Sequence, residues 1–326
     1  MVVDMHFHLM PPGLTEDLRA GRLPGVTWRE GEDGRPAATF PGRAPAAGPS
    51  AILDWPKALA HVEAAGVDRV LVTPWVSATG DTLDGPSAVT YARRMNEAMA
   101  EAIAGSGGRM AAMATLPTAA PAEVEAALRE AVGLGLRGVH MPTHGSGEAL
   151  DAPRFEAVWR AAELLGQPVF LHPPNLPHAL LDRFGLGNLL GNPLSTGTAA
   201  ATLIFGGVLD RHPGLKVVLA HGGGTLPYGI GRLDHGFGAG RAGTSTSAER
   251  PSAYLRRFWY DAVVYRPEAL RYLVETVGAD RVMVGTDYPF DMEMPTPRAL
   301  VERALADRGE GEAVLSGTAS RLFGWP

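Results

Sequence analysis

Short apolar runs rich in β-forming residues recur along the chain, and longer segments with helical periodicity separate them. The intervening segments are rich in Ala, Leu and Glu, and several begin with Pro or a capping residue. Eight apolar runs are found, at residues 2–8, 67–75, 109–116, 136–144, 168–172, 216–221, 258–264 and 281–287. This alternation predicts eight parallel strands closed into a (β/α)8 TIM barrel. An open, doubly wound parallel sheet is the alternative fold.

One stretch interrupts this pattern. Residues 11–50 are rich in Gly, Pro, Arg and Ala, and they show neither a helical period nor a clear strand alternation. We interpret them as an irregular insertion after the first strand, in a position where barrel loops commonly contact substrates. The regular alternation elsewhere predicts a single barrel domain over residues 1–326.

Composition narrows the possible functions. Hydrophobic residues make up 45% of the chain and charged residues 20%, which is typical of a globular protein with a sizeable core. The formal net charge is -6 and the 29 Lys and Arg residues are scattered, so we expect no nucleic-acid partner. The sequence shows neither a secretory signal pattern nor an apolar run of about 18 residues, so we expect no membrane contact and a cytoplasmic location.

A pair of histidines gives the first chemical signal. His6 and His8 stand at the end of the first predicted strand, where residues two apart point to the same side and can converge on one ion. The chain contains no cysteine, so a metal site must be built from His and carboxylate side chains. Alone, the pair is equally consistent with two histidines at an exposed strand end.

Three further residues stand at the ends of later predicted strands. His172 ends the fifth strand, His221 the sixth and Asp287 the eighth. Barrel enzymes assemble their sites at this carboxyl edge, so these side chains and the His pair are expected to meet across the barrel mouth. Imidazole nitrogen and carboxylate oxygen suit zinc and also manganese. The sequence therefore predicts a catalytic metal site.

Four motifs carry a resemblance to a known family. They are Val3-Asp4-Met5-His6-Phe7-His8, Ala220-His221-Gly222-Gly223-Gly224, Gly231-Arg232-Leu233-Asp234-His235-Gly236-Phe237 and Gly285-Thr286-Asp287-Tyr288-Pro289-Phe290. With these motifs, and over nearly its whole length, the chain resembles the amidohydrolase superfamily. The resemblance is strongest to its branch of metal-dependent decarboxylases, typified by 2-amino-3-carboxymuconate-6-semialdehyde decarboxylase.

The resemblance implies a role for each strand-end residue. One divalent ion, Zn2+ first and Mn2+ as the alternative, is expected to be bound by His6, His8, His172 and Asp287. His221 is expected to transfer protons without binding the ion tightly, and Asp287 to share that role.

Related enzymes with two metals use a carboxylated lysine at the end of the fourth strand. Residues 138–144 contain no lysine, which favours a single ion, and His140 and His144 in this segment are expected only to line the barrel or its rim. Asp261, in the seventh strand, could orient a metal ligand or His221, or could be a plain polar core residue. His178 is expected on a surface loop.

Substrate contacts are expected from arginines, because guanidinium groups bind carboxylates in a two-pronged fashion. Arg232 and Arg241 follow the sixth strand, and in the relatives an arginine of this region reaches the active site of a neighbouring subunit, which implies a homodimer. The typical relative has a second arginine after an aromatic residue in the insertion. Here Phe40 is followed by Pro, so Arg43 is the substitute candidate. Phe290 is a candidate contact to a conjugated or aromatic substrate.

Two reactions fit these features. The first is non-oxidative decarboxylation of an unsaturated or aromatic carboxylic acid, with the metal and His221 acting together. The alternative is a hydrolase or hydratase that activates water toward a lactone, ester, amide or double bond. A barrel that binds a metal without turnover is a third hypothesis, disfavoured by the intact ligand set. Fold alone does not separate these reactions.

Overall fold

The computed structural model describes residues 1–145, 147–174, 179–241, 243 and 245–325. His178 lies outside the described residues. The strands in chain order are β1 Val3–His8, β2 Thr27–Glu30, β3 Pro36–Thr39, β4 Ala46–Ala47, β5 Arg69–Thr73, β6 Met110–Ala112, β7 Val139–Pro142, β8 Val169–His172, β9 Val217–Leu219, β10 Phe258–Asp261 and β11 Val282–Met283. All eight predicted strands are therefore confirmed, each somewhat shorter than its apolar run.

These eight strands form one closed ring. Parallel pairing links β1 to β5 and β5 to β6, and a second parallel sheet runs from β7 through β8, β9 and β10 to β11. A parallel bridge between Ala114 and Val139 joins the two sheets on one side. On the other side, the Met5 amide donates to the Val284 carbonyl at 3.0 Å. The ring confirms the predicted barrel over the open sheet.

An irregularity in β1 places the histidine pair inside the barrel. The register to β5 shifts between Asp4 and Phe7. Within this interval Met5 packs in the inner cluster with residues of the other barrel strands, whereas Phe7 belongs to the outer layer under the helices. His6 and His8 consequently share the inner side, as predicted from their spacing. All six residues of β1 are buried.

Helices surround the ring. They are α1 Pro12–Arg19, α2 Trp55–Ala64, α3 Gly85–Ala104, α4 Val124–Gly133, α5 Glu156–Leu164, α6 Asn192–Phe205, α7 Val208–Arg211, α8 Leu226–Gly238, α9 Pro267–Val277, α10 Pro297–Leu305 and α11 Thr318–Phe323. Gly207 separates α6 from α7, because it adopts a left-handed backbone with φ 66. No helix in the described part of the chain combines the length and the apolar character needed to cross a membrane.

The insertion is more regular than its composition predicts. It contains α1 and a small antiparallel sheet in which β3 pairs with both β2 and β4. Its strands are short, and β2 has no fully buried position, so the sequence carries no clean apolar alternation. The sheet therefore gave no period-2 signal that could be read from the sequence.

Candidate active site

Four buried side chains converge at the carboxyl edge of the barrel. His6 and His8 come from the end of β1, His172 ends β8, and Asp287 follows β11. One nitrogen or oxygen atom of each lies within 4.8 Å of those of the other three. His6 Nε2 lies 3.0 Å from His8 Nε2, and Asp287 Oδ1 lies 3.2 Å from each of these nitrogens. His172 Nε2 lies 3.9 Å from the same oxygen.

These separations fit a metal ion. Ligands at about 2.0–2.1 Å from a tetrahedral ion stand roughly 3.3 Å apart. The His6, His8 and Asp287 atoms have this spacing, and the His172 nitrogen lies somewhat farther away. The His172 ring nitrogens and Asp287 Oδ1 are buried, and no group in the described part of the chain supplies a well-formed hydrogen bond to them. Buried polar atoms without such a partner are costly, and a divalent cation would satisfy His172 Nε2 and Asp287 Oδ1 together.

Asp261 fixes the first ligand. Its Oδ2 accepts a hydrogen bond from His6 Nδ1 at 2.7 Å and one from the His221 amide at 2.9 Å. Its Oδ1 accepts from the amides of Gly222 at 2.9 Å and Val263 at 3.1 Å. With the proton held on Nδ1, the Nε2 lone pair of His6 faces the other donors. Of the two readings left open by the sequence, the orienting role is the one these contacts support.

His8 is oriented in a similar way. The Thr73 hydroxyl donates to the Phe7 carbonyl at 3.2 Å, so its oxygen is free to accept from His8 Nδ1 at 2.8 Å. The proton on Nδ1 leaves the Nε2 of His8 free as a ligand atom.

The site concentrates negative charge out of solvent. Burial alone would lower the pKa of His6, but the carboxylates of Asp287 and Asp261 outweigh it and raise that pKa to about 10. Burial alone would raise the pKa of Asp287, yet the histidines around it hold the pKa well below its ordinary range. Two buried carboxylates in one group require positive charge nearby, which is what a divalent cation provides.

His221 stands beside this group in a strained backbone conformation. Its Nε2 lies 3.6 Å from Asp287 Oδ2, the oxygen that faces away from the His6 and His8 nitrogens. His221 and Asp287 both adopt left-handed backbone angles, with φ 55 and φ 64. Such angles are costly for residues other than glycine and cluster at functional sites. The two oxygens of Asp287 thus divide between the ligand group and His221.

A cavity of about 320 Å³ opens next to these residues. His221 and Asp287 form part of its wall, and the rest is mainly apolar, with Leu189, Val263 and Val264 among the lining residues. Tyr265 also lines it, in a left-handed backbone conformation with φ 61. The cavity can therefore hold a small organic molecule against the His221 side chain.

The expected substrate contacts are spread over different places. Phe290 packs edge-on against the His8 ring, with centroids 5.2 Å apart. Arg43 lines a second cavity of about 370 Å³ together with His144, and its guanidinium contacts Asp81 at 2.6 Å. Arg232 and Arg241 are exposed, and the described lining of the cavity beside His221 includes neither of them.

Histidines near the fourth barrel strand sit as the sequence suggests. His140 is buried, with its ring centroid 5.9 Å from that of His172, and it is not among the four converging side chains. His144 lies at the rim. Burial lowers the pKa of both histidines.

Two residues of the site escaped the sequence reasoning. Asp4 is buried and accepts hydrogen bonds from the amides of His6 at 3.0 Å and Thr286 at 3.1 Å, which ties β1 to the segment carrying Asp287. A carboxylate two residues before the His pair was the available signal. Asn192, buried in the cavity wall, had none, because it stands at the start of a helix.

Comparison with known proteins identifies relatives. Over 219 residues the chain is 35% identical to 2-amino-3-carboxymuconate-6-semialdehyde decarboxylase of Dictyostelium discoideum, covering 66% of this chain and 61% of that protein. The match thus spans less than two thirds of that relative. Gamma-resorcylate decarboxylase of Rhizobium radiobacter is 29% identical over 245 residues, covering 71% of this chain and 75% of that protein.

Structural comparison agrees with this. The crystal structure of 5-carboxyvanillate decarboxylase from Sphingomonas paucimobilis superposes with a TM-score of 0.83 and 26% identity, covering 100% of this chain and 99% of that one. The family model described as amidohydrolase matches residues 3–325. The chain, with its closed barrel and its converging histidines and aspartate, therefore belongs to the amidohydrolase family.

Proposed function

We propose that this protein is a metal-dependent, non-oxidative decarboxylase of an aromatic or unsaturated carboxylic acid. The observation that carries the proposal is the position of His221 Nε2 on the cavity wall, 3.6 Å from Asp287 Oδ2 and beside the four converging donors. The three relatives compared above are named as decarboxylases, which supports carbon–carbon cleavage over hydrolysis on this scaffold.

One divalent ion would be held by His6, His8, His172 and Asp287 Oδ1. When bound, it supplies Lewis-acid polarisation of substrate oxygens. Three nitrogens and one oxygen suit zinc, which is the ion we assign, with manganese as the alternative. Elemental analysis of protein purified without added metal distinguishes the two.

His221 is assigned the proton transfer. The carbon–carbon bond to the carboxylate breaks, carbon dioxide leaves, and His221 Nε2 delivers a proton to the carbon that keeps the bonding electrons. Asp287 Oδ2 stabilises the protonated imidazole before transfer. The mainly apolar wall formed by Leu189, Val263 and Val264 would pack against the ring or conjugated chain of the acid.

Substrate binding is assigned to Phe290 and to arginines. Phe290, edge-on to His8, would contact the flat face of the substrate. Arg232 and Arg241 are exposed in the single chain, so we assign any contact they make to the site of a neighbouring subunit in a homodimer. Arg43 is assigned to the second cavity, where it could hold a distant anionic group.

The proposal is tested by product analysis. Metal-loaded protein is screened with hydroxybenzoates, resorcylates and carboxylated muconates, and both carbon dioxide and the remaining organic product are quantified. We expect one carbon dioxide per acid consumed and a product that has lost the carboxylate. A product that keeps its carboxylate and gains the elements of water would instead identify a hydrolase or hydratase.

Two variants separate proton transfer from metal binding. His221→Ala should lower kcat by roughly 10²- to 10⁴-fold while the metal content stays at the wild-type level. His172→Ala should lose the metal. Wild-type turnover in His221→Ala would overturn the proton assignment, and wild-type metal content in His172→Ala would overturn the ligand assignment.

A further inference from the structure

One wall of the cavity beside His221 carries a buried asparagine that the proposed chemistry does not use. The side chain of Asn192 is largely out of solvent, with the residue only 7% exposed. Its Oδ1 is buried and has no hydrogen-bond partner among the residues that the structure describes. An unsatisfied buried amide oxygen is costly, and native proteins keep such atoms where a ligand or an ordered water completes them.

The position of Asn192 relative to His221 is fixed by the backbone. The first turn of α6 packs directly against the loop that follows His221, and two glycines allow this approach. A Cβ atom on Gly224 would lie 2.0 Å from the Pro193 carbonyl oxygen, and one on Gly197 would lie 2.1 Å from Thr225 Oγ1. The backbone of Asn192 is therefore held beside the loop that carries His221, and both residues line the same cavity.

Its surroundings leave few polar alternatives on that wall. Leu189, Val263 and Val264 line the same cavity and offer no side-chain hydrogen-bonding group. Asn188 also lines it but is exposed, so water can satisfy its amide. A carboxylate has only acceptor atoms at neutral pH, so the substrate carboxylate cannot donate a hydrogen bond to Asn192 Oδ1. The atom requires a donor.

We propose that Asn192 is a specificity-determining residue whose Oδ1 accepts a hydrogen bond from an O–H or N–H substituent on the ring or chain of the substrate. The assignment rests on the proposed function of this site. It predicts that the protein distinguishes hydroxylated or aminated acids from the unsubstituted acid through one hydrogen bond, beyond the recognition of the carboxylate.

The test is equilibrium binding, which does not depend on turnover. Benzoate and the 2-, 3- and 4-hydroxy and amino benzoates are titrated calorimetrically into metal-loaded wild type, Asn192→Ala, Asn192→Asp and the matched control Asn188→Ala. Metal content and circular dichroism are recorded for each variant. The quantity compared is the ratio of the dissociation constant for benzoate to that for the substituted acid.

Wild type should prefer at least one substituted acid by about tenfold, the contribution of one hydrogen bond. Asn192→Ala should bring this ratio to within about twofold of unity. Asn188→Ala should keep the wild-type ratio. Asn192→Asp should also keep it, because an acceptor oxygen remains, even though its charge weakens the binding of every acid.

The proposal is overturned if wild type shows no such preference, or if Asn192→Ala keeps it. It is also overturned if Asn192→Asp loses the preference, since the amide would then act as a donor. Failure of the proposed function looks different: the substituted acids would bind with the expected ratios and release no carbon dioxide. In that case the recognition role stands and the reaction does not.

Discussion

Replacing Asp261 by Asn keeps the shape of the side chain and removes one of its two acceptor oxygens. In the wild-type protein the Asp261 carboxylate is fully buried and accepts four hydrogen bonds, two at each oxygen. An Asn side chain must turn its NH2 group toward one of these two pairs of donors. If the NH2 group faces Gly222 and Val263, the two backbone N–H groups are opposed by another donor and lose their hydrogen bonds.

If the NH2 group of the variant faces His6 and His221 instead, a hydrogen bond can still form with one of these two partners. The His6 ring can accept at Nδ1 by moving its proton to Nε2, and only the His221 amide is then opposed. We therefore expect the second orientation. The shifted proton occupies the nitrogen that lies 3.2 Å from Asp287 Oδ1, where the cation would bind.

The consequence is a loss of metal affinity together with a loss of stability. Removing a buried partner that orients a histidine ligand costs about 10- to 100-fold in metal affinity. The hydrogen bond lost at the His221 amide, to a charged acceptor, corresponds to roughly 1.5–3 kcal/mol of unfolding free energy before relaxation. The metal dissociation constant is measured by competition with a chromophoric chelator, and the unfolding free energy by chemical denaturation.

A suitable control is Asp210→Asn. Asp210 accepts hydrogen bonds from the Tyr254 hydroxyl at 2.7 Å and from the Ala248 amide at 2.9 Å, away from the site, so this variant makes the same carboxylate-to-amide change without touching a metal ligand. A metal dissociation constant for Asp261→Asn within twofold of the wild-type value would refute the reasoning that its hydrogen bond sets the His6 tautomer.

Two further predictions concern stability. Gly224→Ala should lower the unfolding free energy by about 2–4 kcal/mol, because the added Cβ would meet the Pro193 carbonyl. The control Gly229→Ala places its Cβ in open space on α8, so it should leave the unfolding free energy unchanged or raise it by up to about 1 kcal/mol. Equal melting temperatures in the two variants would contradict this prediction. Burial alone would raise the pKa of Glu163, but the hydrogen bond with His212 outweighs it and lowers the pKa below the ordinary 4.5. Because the pKa of Glu163 is lower in the folded state, its ionised carboxylate stabilises the fold above pH 4.5, and this stabilisation is lost as the pH falls further. The melting temperature of Glu163→Gln should therefore drop less steeply than that of wild type between about pH 5 and 3.5. Parallel plots of melting temperature against pH for the two proteins would count against this prediction.

The barrel and its converging residues were accessible from sequence because both follow from short-range rules. Strand periodicity marks where each strand ends, and a closed parallel sheet brings those ends together. His6, His172 and Asp287 are far apart in the chain, yet each could be placed at the mouth by its strand alone. The β1 irregularity that sends Met5 and His6 both inward has no such local signal.

Other features depend on contacts between distant segments. The orienting role of Asp261 could not be separated from plain core polarity until its hydrogen bonds to β1 and to the loop after β9 were seen. The small antiparallel sheet of the insertion buries too little surface to leave a period in the sequence. Asn192 becomes notable only when its oxygen is found without a partner. Each is set by tertiary packing rather than by propensity.

We propose that side chains far apart in the sequence bind one cation at the barrel mouth. Anomalous X-ray diffraction from crystals of the purified protein, recorded at the zinc and manganese edges, tests it most directly. We expect one strong anomalous difference peak per chain, about 2.0–2.3 Å from His6 Nε2, His8 Nε2, His172 Nε2 and Asp287 Oδ1. A well-diffracting crystal with no peak there, or with its only peak bound by other residues, would contradict it.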